Sequence, residues 1–222
     1  MNRVVVLIFT LLVGIGASRA QQGEVTLGIR GGGSTLYGAF SAFAVEAEYS
    51  AKEYFALRGG ALYSTISRVT TEVRPAYFHD FNIGRLSAEL LFNYAYQSRV
   101  SNYAFGCGLL LDTKYISAAL GYYCRVMTIA ADRLFEPFNI YYKLAVHCLP
   151  NRECWDLNVI FSNSQALELE RHYQPSLAVE GWYYPLERLG VQLGVNYKPA
   201  GMFNLSSDYY QIYGNVGVCY RW

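Results

Sequence analysis

Charged residues are scarce in this sequence of 222 residues, since Asp, Glu, Lys and Arg together make up only 16%. About a quarter is usual for soluble proteins, so this chain is poorly supplied for a surface that must stay dissolved in water. The formal net charge is also small, at +1. A protein that binds nucleic acid carries a basic patch, and none is indicated here, so we expect no nucleic acid partner.

Metal-binding patterns are missing as well. The chain has five cysteines and three histidines, but no Cys-x-x-Cys pair and no histidine cluster. Zinc sites need such closely spaced ligands, so we predict neither a metal nor a cofactor. Cys148 and Cys154 bracket a short predicted turn and could form a disulfide in an oxidising compartment.

The sequence has no apolar run long enough to span a membrane as a helix, and its most apolar stretch lies at the N-terminus. It covers about 14 residues, Val4 to Ala17, and follows Arg3, whereas a spanning helix needs about 20. The small residues Ser18 and Ala20 then suit cleavage by signal peptidase. We therefore predict a signal peptide over residues 1–20 and a single mature domain over 21–222.

What the mature chain does have is a repeated alternation of apolar and polar residues, clearest in its last stretch, 209–222. Even positions from Tyr210 to Trp222 are aromatic, aliphatic or Gly, whereas the odd positions include Gln211, Asn215 and Arg221. Side chains alternate between the two faces of a strand, so this stretch is predicted to be a two-faced strand. Because chain ends otherwise fray, we expect it to be paired, as the last strand of a closed barrel is.

The same alternation predicts about twelve strands, with ten possible if the Gly31 region or the strand containing Pro75 is miscounted. Short turns are predicted near 50–53, 79–85, 112–114, 149–153 and 185–188, and longer loops near 31–39, 64–69, 97–101, 127–137, 162–174 and 198–208. Short turns at one end and long loops at the other are typical of a transmembrane antiparallel up-and-down β-barrel of the outer membrane. An even strand count then places both termini in the periplasm and the long loops outside the cell.

A soluble β-sandwich or lipocalin-like barrel would also alternate, with its apolar face turned inward. Its polar face would need charge, whereas the polar faces here are dominated by Gly, Ala, Ser, Asn and Tyr. Aromatic residues reach 16%, with 21 tyrosines, and aromatic girdles bound the lipid-facing wall of membrane barrels. We therefore expect the apolar face to contact outer-membrane lipid.

The tyrosine-rich alternation, the turn Tyr-Tyr-Pro-Leu-Glu-Arg-Leu-Gly at 183–190 and the ending Gly-Asn-Val-Gly-Val-Cys-Tyr-Arg-Trp resemble small outer-membrane β-barrel proteins of Gram-negative bacteria, particularly the Bacteroidetes. The resemblance implies that the barrel-assembly machinery reads the last strand at Val218, Tyr220 and Trp222. Porins, adhesins, enzymes and assembly factors share this architecture, so it does not by itself name a function.

Function must therefore come from the lumen and the loops. Eleven charged residues are predicted to point inward: Arg30, Glu46, Glu48, Arg58, Arg74, Glu89, Arg125, Lys143, Asp156, Glu180 and Arg221. Paired across the lumen, they would fill it and stiffen the barrel. Left accessible to water, they would line a narrow conduit for small solutes. Two functions are predicted. One is a non-enzymatic structural or interaction barrel that serves a partner in an outer-membrane complex, and the other is a narrow porin-like pore for small solutes.

The alternative is a lipid hydrolase or acyltransferase built on a barrel. Such an enzyme needs a nucleophile, a base and an orienting group within reach. Only His172, in a predicted outer loop with Ser164, Glu168 and Glu170, is placed to act at the cell surface, because His79 and His147 fall near predicted periplasmic turns. The Gly-x-His-x-Ser pattern of barrel phospholipases is absent, so no catalytic residue is predicted.

Overall fold

The structure is a computed structural model that describes residues 22–35, 38–50, 54–65, 68–97, 100–129, 132–149, 154–165, 167–169, 175–199 and 211–222. The predicted signal peptide, residues 1–20, lies outside the described residues. Within the described ranges, the structure has no helix with the length and apolar character needed to cross a membrane.

Twelve antiparallel strands of the described chain close into one barrel, as predicted, and the ten-strand option is excluded. Each barrel strand pairs with the next barrel strand along the chain, so that β9 pairs with β12, and β1 pairs with β14 to close the ring. A separate small hairpin follows β9 and consists of two strands of two residues each, β10 and β11. The strands are β1 Gln22–Ser34, β2 Gly38–Ser50, β3 Phe55–Ser64, β4 Val69–Phe81, β5 Gly84–Gln97, β6 Val100–Thr113, β7 Ile116–Ile129, β8 Asp132–His147, β9 Trp155–Ser162, β10 Ser164–Gln165, β11 Glu168–Leu169, β12 Ser176–Leu186, β13 Leu189–Lys198 and β14 Gln211–Arg221.

The C-terminal strand is paired along both edges. It contacts β13 on one side and β1 on the other, with Val218 opposite both Val191 and Leu27. The backbone of Trp222 continues this pairing, because its N–H donates to the carbonyl of Gly23 at 3.1 Å. The end of the chain is thereby fixed in the barrel seam.

Large apolar side chains cover the outside of the barrel. Leucine, isoleucine and valine occupy its middle, and Leu120, for example, is 64% exposed. Aromatic pairs lie toward both ends, such as Trp155 with Tyr183 near the termini and Tyr94 with Tyr103 near the opposite end. An apolar belt between two aromatic girdles is typical of a barrel that faces hydrocarbon.

Several predicted loops are instead strand. Gly31–Ser34 belongs to β1 and is paired with both neighbouring strands. The loop predicted at 127–137 is also wrong, since only residues 130–131 separate β7 from β8. Pro75 lies inside a regular 13-residue strand, β4. Long connections on the side away from the termini are confined to 163–175, which contains the small hairpin, and 199–210.

Prolines mark the irregular points of the ladder. The register shifts between Tyr123 and Arg125 of β7, opposite the part of β8 that holds Pro137. It shifts again between Tyr183 and Leu186 of β12, where Pro185 lies. Proline has no N–H to donate to a ladder and is tolerated at bulges, so these residues fix where each strand bends.

One half of the interior is packed with aromatic side chains. Leu91, Ala104, Tyr123 and Tyr141 form a fully enclosed cluster on β5 to β8. The Tyr141 ring lies over Gly121 and reaches Gly108, and a Cβ at either glycine would overlap it. Glycine is required at these two positions so that the ring can lie flat against the wall.

Candidate functional site: the barrel lumen

All eleven charged residues predicted to face the lumen lie on the inward faces of their strands, sharing those faces with buried neighbours. Burial differs among them: Arg30, Glu89 and Arg125 are buried, whereas Glu48 and Arg221 are exposed near the end that carries the termini. Period-2 alternation is sufficient to place them, because it assigns each side chain to a face.

Arginines of the lumen are held by carboxylates. Arg30 Nη2 lies 2.8 Å from Glu46 Oε1, and Arg58 Nε lies 3.2 Å from Glu48 Oε2. Arg221 Nε contacts Glu24 Oε2 at 2.7 Å. A weaker pair joins Arg125 to Glu136 at 3.9 Å. These pairs bridge neighbouring strands and support the structural role that the sequence allowed for them.

Arg74 is the centre of the most extensive network. Its Nε donates to Glu72 at 2.7 Å, its Nη1 to Glu89 at 3.2 Å, and its Nη2 to the hydroxyl of Ser164 at 2.5 Å. The Tyr141 hydroxyl donates to the same Glu89 oxygen at 2.9 Å. Arg74 therefore joins two buried carboxylates, the aromatic cluster and the hairpin after β9.

The hairpin after β9 points into the lumen because, where β9 ends, side chains take over the hydrogen bonds that the backbone of the strand would make to β8. The Asn163 amide donates to the carbonyl of Ile140 at 2.8 Å and accepts the N–H of Tyr142 at 2.7 Å. The Ser162 hydroxyl donates to the carbonyl of Tyr142 at 2.9 Å. These side chains make hydrogen bonds to the backbone groups of β8 that a longer β9 would otherwise pair with. The chain after β9 can therefore turn away from the barrel wall into the lumen.

Ser162, Asn163, Ser164 and Leu167, which belong to the predicted outer loop 162–174, are consequently buried. Leu167 is 6% exposed and packs against Ala42, Ala44 and Leu62 of β2 and β3. In the strand order, β3 lies six strands from β9 in either direction, so the hairpin crosses the lumen. Leu167 has a φ of 69°, which costs a non-glycine residue strain, and its packing offsets that strain.

The described residues enclose two adjoining cavities in the lumen. One, of about 140 Å³, extends along β1, β13 and β14, and the other, of about 320 Å³, extends toward β3 and β4. Both are lined by Thr26, Glu46, Lys143, Ser164 and Trp182, so they meet at this ring of side chains. We call these five residues the neck.

A second polar chain lies nearer the termini. The Ser117 hydroxyl donates to Asp112 and is 2.8 Å from His147 Nε2, while His147 Nδ1 is 2.6 Å from Asn158 Oδ1. The Asn158 amide in turn donates to Asp156 at 3.1 Å.

Ser117, His147 and Asn158 resemble the serine, base and orienting group of a hydrolase, but Ser117 directs its proton to Asp112 rather than to the histidine. Its strand is paired on both sides, with β6 and with β8. Backbone amides held in a ladder cannot form the oxyanion hole that acyl transfer needs. This chain of hydrogen bonds links β6, β7, β8 and β9 at the end of the barrel that carries the termini.

The remaining predicted site residues divide into those described and those outside the described ranges. Val218, Tyr220 and Trp222 point outward on the seam, with the last two rings stacked; their reading by the assembly machinery stays a prediction. Cys148 and Cys154 are free thiols in this structure, and a disulfide between them in an oxidising compartment stays a prediction. His172 and Glu170 lie outside the described residues, and Ser164 is buried beside Arg74 rather than at the cell surface.

Several lumen residues were missed by the sequence analysis. Glu24, Glu72 and Trp182 lie on inward faces that the alternation already identified, so the same rule could have included them. Tyr141 shares its face with Lys143. The inward position of Leu167 has no counterpart in the period-2 pattern, because it depends on where β9 stops.

No protein-family model matches the chain, and no curated protein sequence matches it. Solved structures with similar barrels include the KdgM porin, at 16% identity and a TM-score of 0.53, covering 88% of this chain and 98% of that chain. The NanC porin matches at 13% identity with a TM-score of 0.59, and the match covers 87% of this chain and 98% of that chain. The translocator domain of the autotransporter NalP from Neisseria meningitidis matches at 13% identity with a TM-score of 0.59, and the match covers 100% of this chain and 94% of that chain.

At these identities the similarity shows the fold, which is that of outer-membrane β-barrels. The Bacteroidetes origin suggested by the resemblance finds no support in the matches.

Proposed function

We propose that this protein is a non-enzymatic barrel of the outer membrane that conducts small polar solutes through a narrow lumen. The observation that carries the proposal is the pair of polar cavities that meet at the neck inside a closed ring of strands. A barrel of twelve strands lies between those filled by side chains and those open as channels, and this one retains polar space beside a packed half.

The orientation follows from the connections. Both long connections, 163–175 and 199–210, lie at the end away from the termini. Membrane barrels place longer loops outside the cell and short turns in the periplasm, so we assign the termini to the periplasm. Outer-membrane lipid surrounds the apolar belt, and the assembly machinery would insert the chain through its last strand.

The similar structures are compatible with this proposal, but their similarity is not evidence for it. Two of them are named porins, and a shared fold does not transfer function. A purely structural barrel, serving a partner in an outer-membrane complex, would use the same ion pairs to fill its lumen. The hydrolase alternative depended on His172 at the surface, and the serine–histidine chain found near the termini does not supply it.

Planar bilayers distinguish the conducting barrel from the filled one. We expect refolded, purified protein to give small, uniform conductance steps in KCl, because the neck limits a continuous polar path. Heat-denatured protein at the same detergent concentration is the control. Folded protein that inserts without producing steps would leave only the structural role.

A further inference from the structure

The cavity-lining cations differ in how their charge is compensated. Arg30, Arg58 and Arg74 each lie within 3.2 Å of a carboxylate oxygen. Among the described residues, the Lys143 ammonium donates no hydrogen bond and has no carboxylate within ion-pair distance. Glu180, which lines the same cavity, acts on Lys143 electrostatically without an ion-pair contact, so the ammonium can still contact a solute in the lumen.

Lys143 also lies where both cavities meet. It shares the neck with Glu46 and Trp182, and the carboxylate of Glu46 is already held by Arg30 at 2.8 Å. Its inward neighbours on β8 are Tyr141 and Ala145, both buried. A point charge beside a low-dielectric wall acts on passing ions more strongly than one at a wide, wet opening.

From this geometry we infer that Lys143 is the residue that determines the charge selectivity of the lumen. The inference rests on the proposed conducting function. Solutes that move between the cavities pass its ammonium, which repels cations and attracts anionic groups. The other lining charges contribute less, because paired charges largely cancel at a distance.

The surrounding carboxylates give the direction in which selectivity would shift. The two cavities together are lined by six glutamates and four basic residues. Removing Lys143 raises this surplus of lining carboxylates over basic groups from two to three. One unit charge at about 6 Å in water changes the local concentration of a monovalent ion about threefold.

The test is the ratio of K⁺ to Cl⁻ permeability, measured from the reversal potential of single channels in a KCl gradient. We expect Lys143→Met to raise this ratio at least about threefold and Lys143→Arg to leave it near the wild-type value. Arg58→Met is the matched control, because it removes the same charge from a partly exposed pair with Glu48; its shift should be much smaller.

The outcomes separate the two proposals. An unchanged ratio in Lys143→Met, or an equal shift in Arg58→Met, would overturn the role of Lys143, since selectivity would then be absent or follow net charge alone. Wild-type protein that inserts but never conducts would instead overturn the proposed function. Urea unfolding of each variant shows whether a lost signal reflects lost folding.

Discussion

Replacing Arg74 with alanine is expected to lower the free energy of unfolding by about 3–5 kcal/mol, because it strands two buried carboxylates. The side chains of Glu72 and Glu89 are only 10% and 2% exposed, and both contact the Arg74 guanidinium. Without it they repel each other across neighbouring strands. The change also removes the hydrogen bond to Ser164 that ties the inward hairpin to β4.

Arg58→Ala provides the comparison, since Arg58 is paired with a carboxylate that is 49% exposed. Exposed pairs contribute about 0–1 kcal/mol. Both variants can be unfolded by urea in phosphatidylcholine vesicles and followed by tryptophan fluorescence and by the electrophoretic shift of the folded barrel. Equal losses in the two variants would show that the Arg74 network is not the centre of the interior.

Leu167→Ala should open the lumen by releasing the hairpin from the far wall. Truncating a buried leucine costs about 2–5 kcal/mol, and each 1.4 kcal/mol changes an equilibrium about tenfold. Among the described residues, the Arg74–Ser164 hydrogen bond is another anchor of the hairpin. We therefore expect larger conductance steps, or a second and higher level, in planar bilayers.

Leu167→Met keeps the volume and the apolar character of the side chain, which cores tolerate well, so its steps should match those of the wild type. The barrel strands do not depend on Leu167 for pairing, and both variants should show the same shift between folded and heat-denatured protein on gels. Conductance that is the same in Leu167→Ala and Leu167→Met would show that the hairpin does not limit the path.

The direction of each side chain could be predicted from the sequence because a strand offers only two faces. Leu120 and Ala119 illustrate this, since one is on the outer belt and the other lines a cavity. The same rule placed Arg30 and Glu46 in the lumen, where they meet. Strand number followed from counting these alternating stretches.

Loop position could not be predicted in this way. The segment after β9 is polar and was expected at the cell surface, yet its path depends on Asn163 and Ser162 satisfying the edge of β8. These hydrogen bonds could be foreseen only by knowing that β9 is shorter than β8 and leaves part of the edge of β8 unpaired. Glycines at 31–33 likewise indicated a loop, whereas pairing with β2 and β14 keeps them in a strand.

The pairing of the lumen charges was open for a similar reason. Alternation assigns Arg74 and Glu89 to the same interior but gives no distance between them. Their contact is set by the register of β4 against β5, which pairs Ala76 with Glu89. Side-chain length then brings the guanidinium within reach of both carboxylates.

The most direct test of the central claim, that the apolar face contacts lipid and the mixed face lines the interior, uses spin labels on adjacent residues of β7. In a variant whose native cysteines are replaced, Leu120→Cys and Ala119→Cys are labelled and the protein is reconstituted in phosphatidylcholine vesicles. Collision rates with oxygen, which concentrates in lipid, and with a water-soluble nickel chelate are then compared. We predict high oxygen and low nickel accessibility at 120, and the opposite preference at 119; nickel accessibility at 120 exceeding that at 119 would contradict the account.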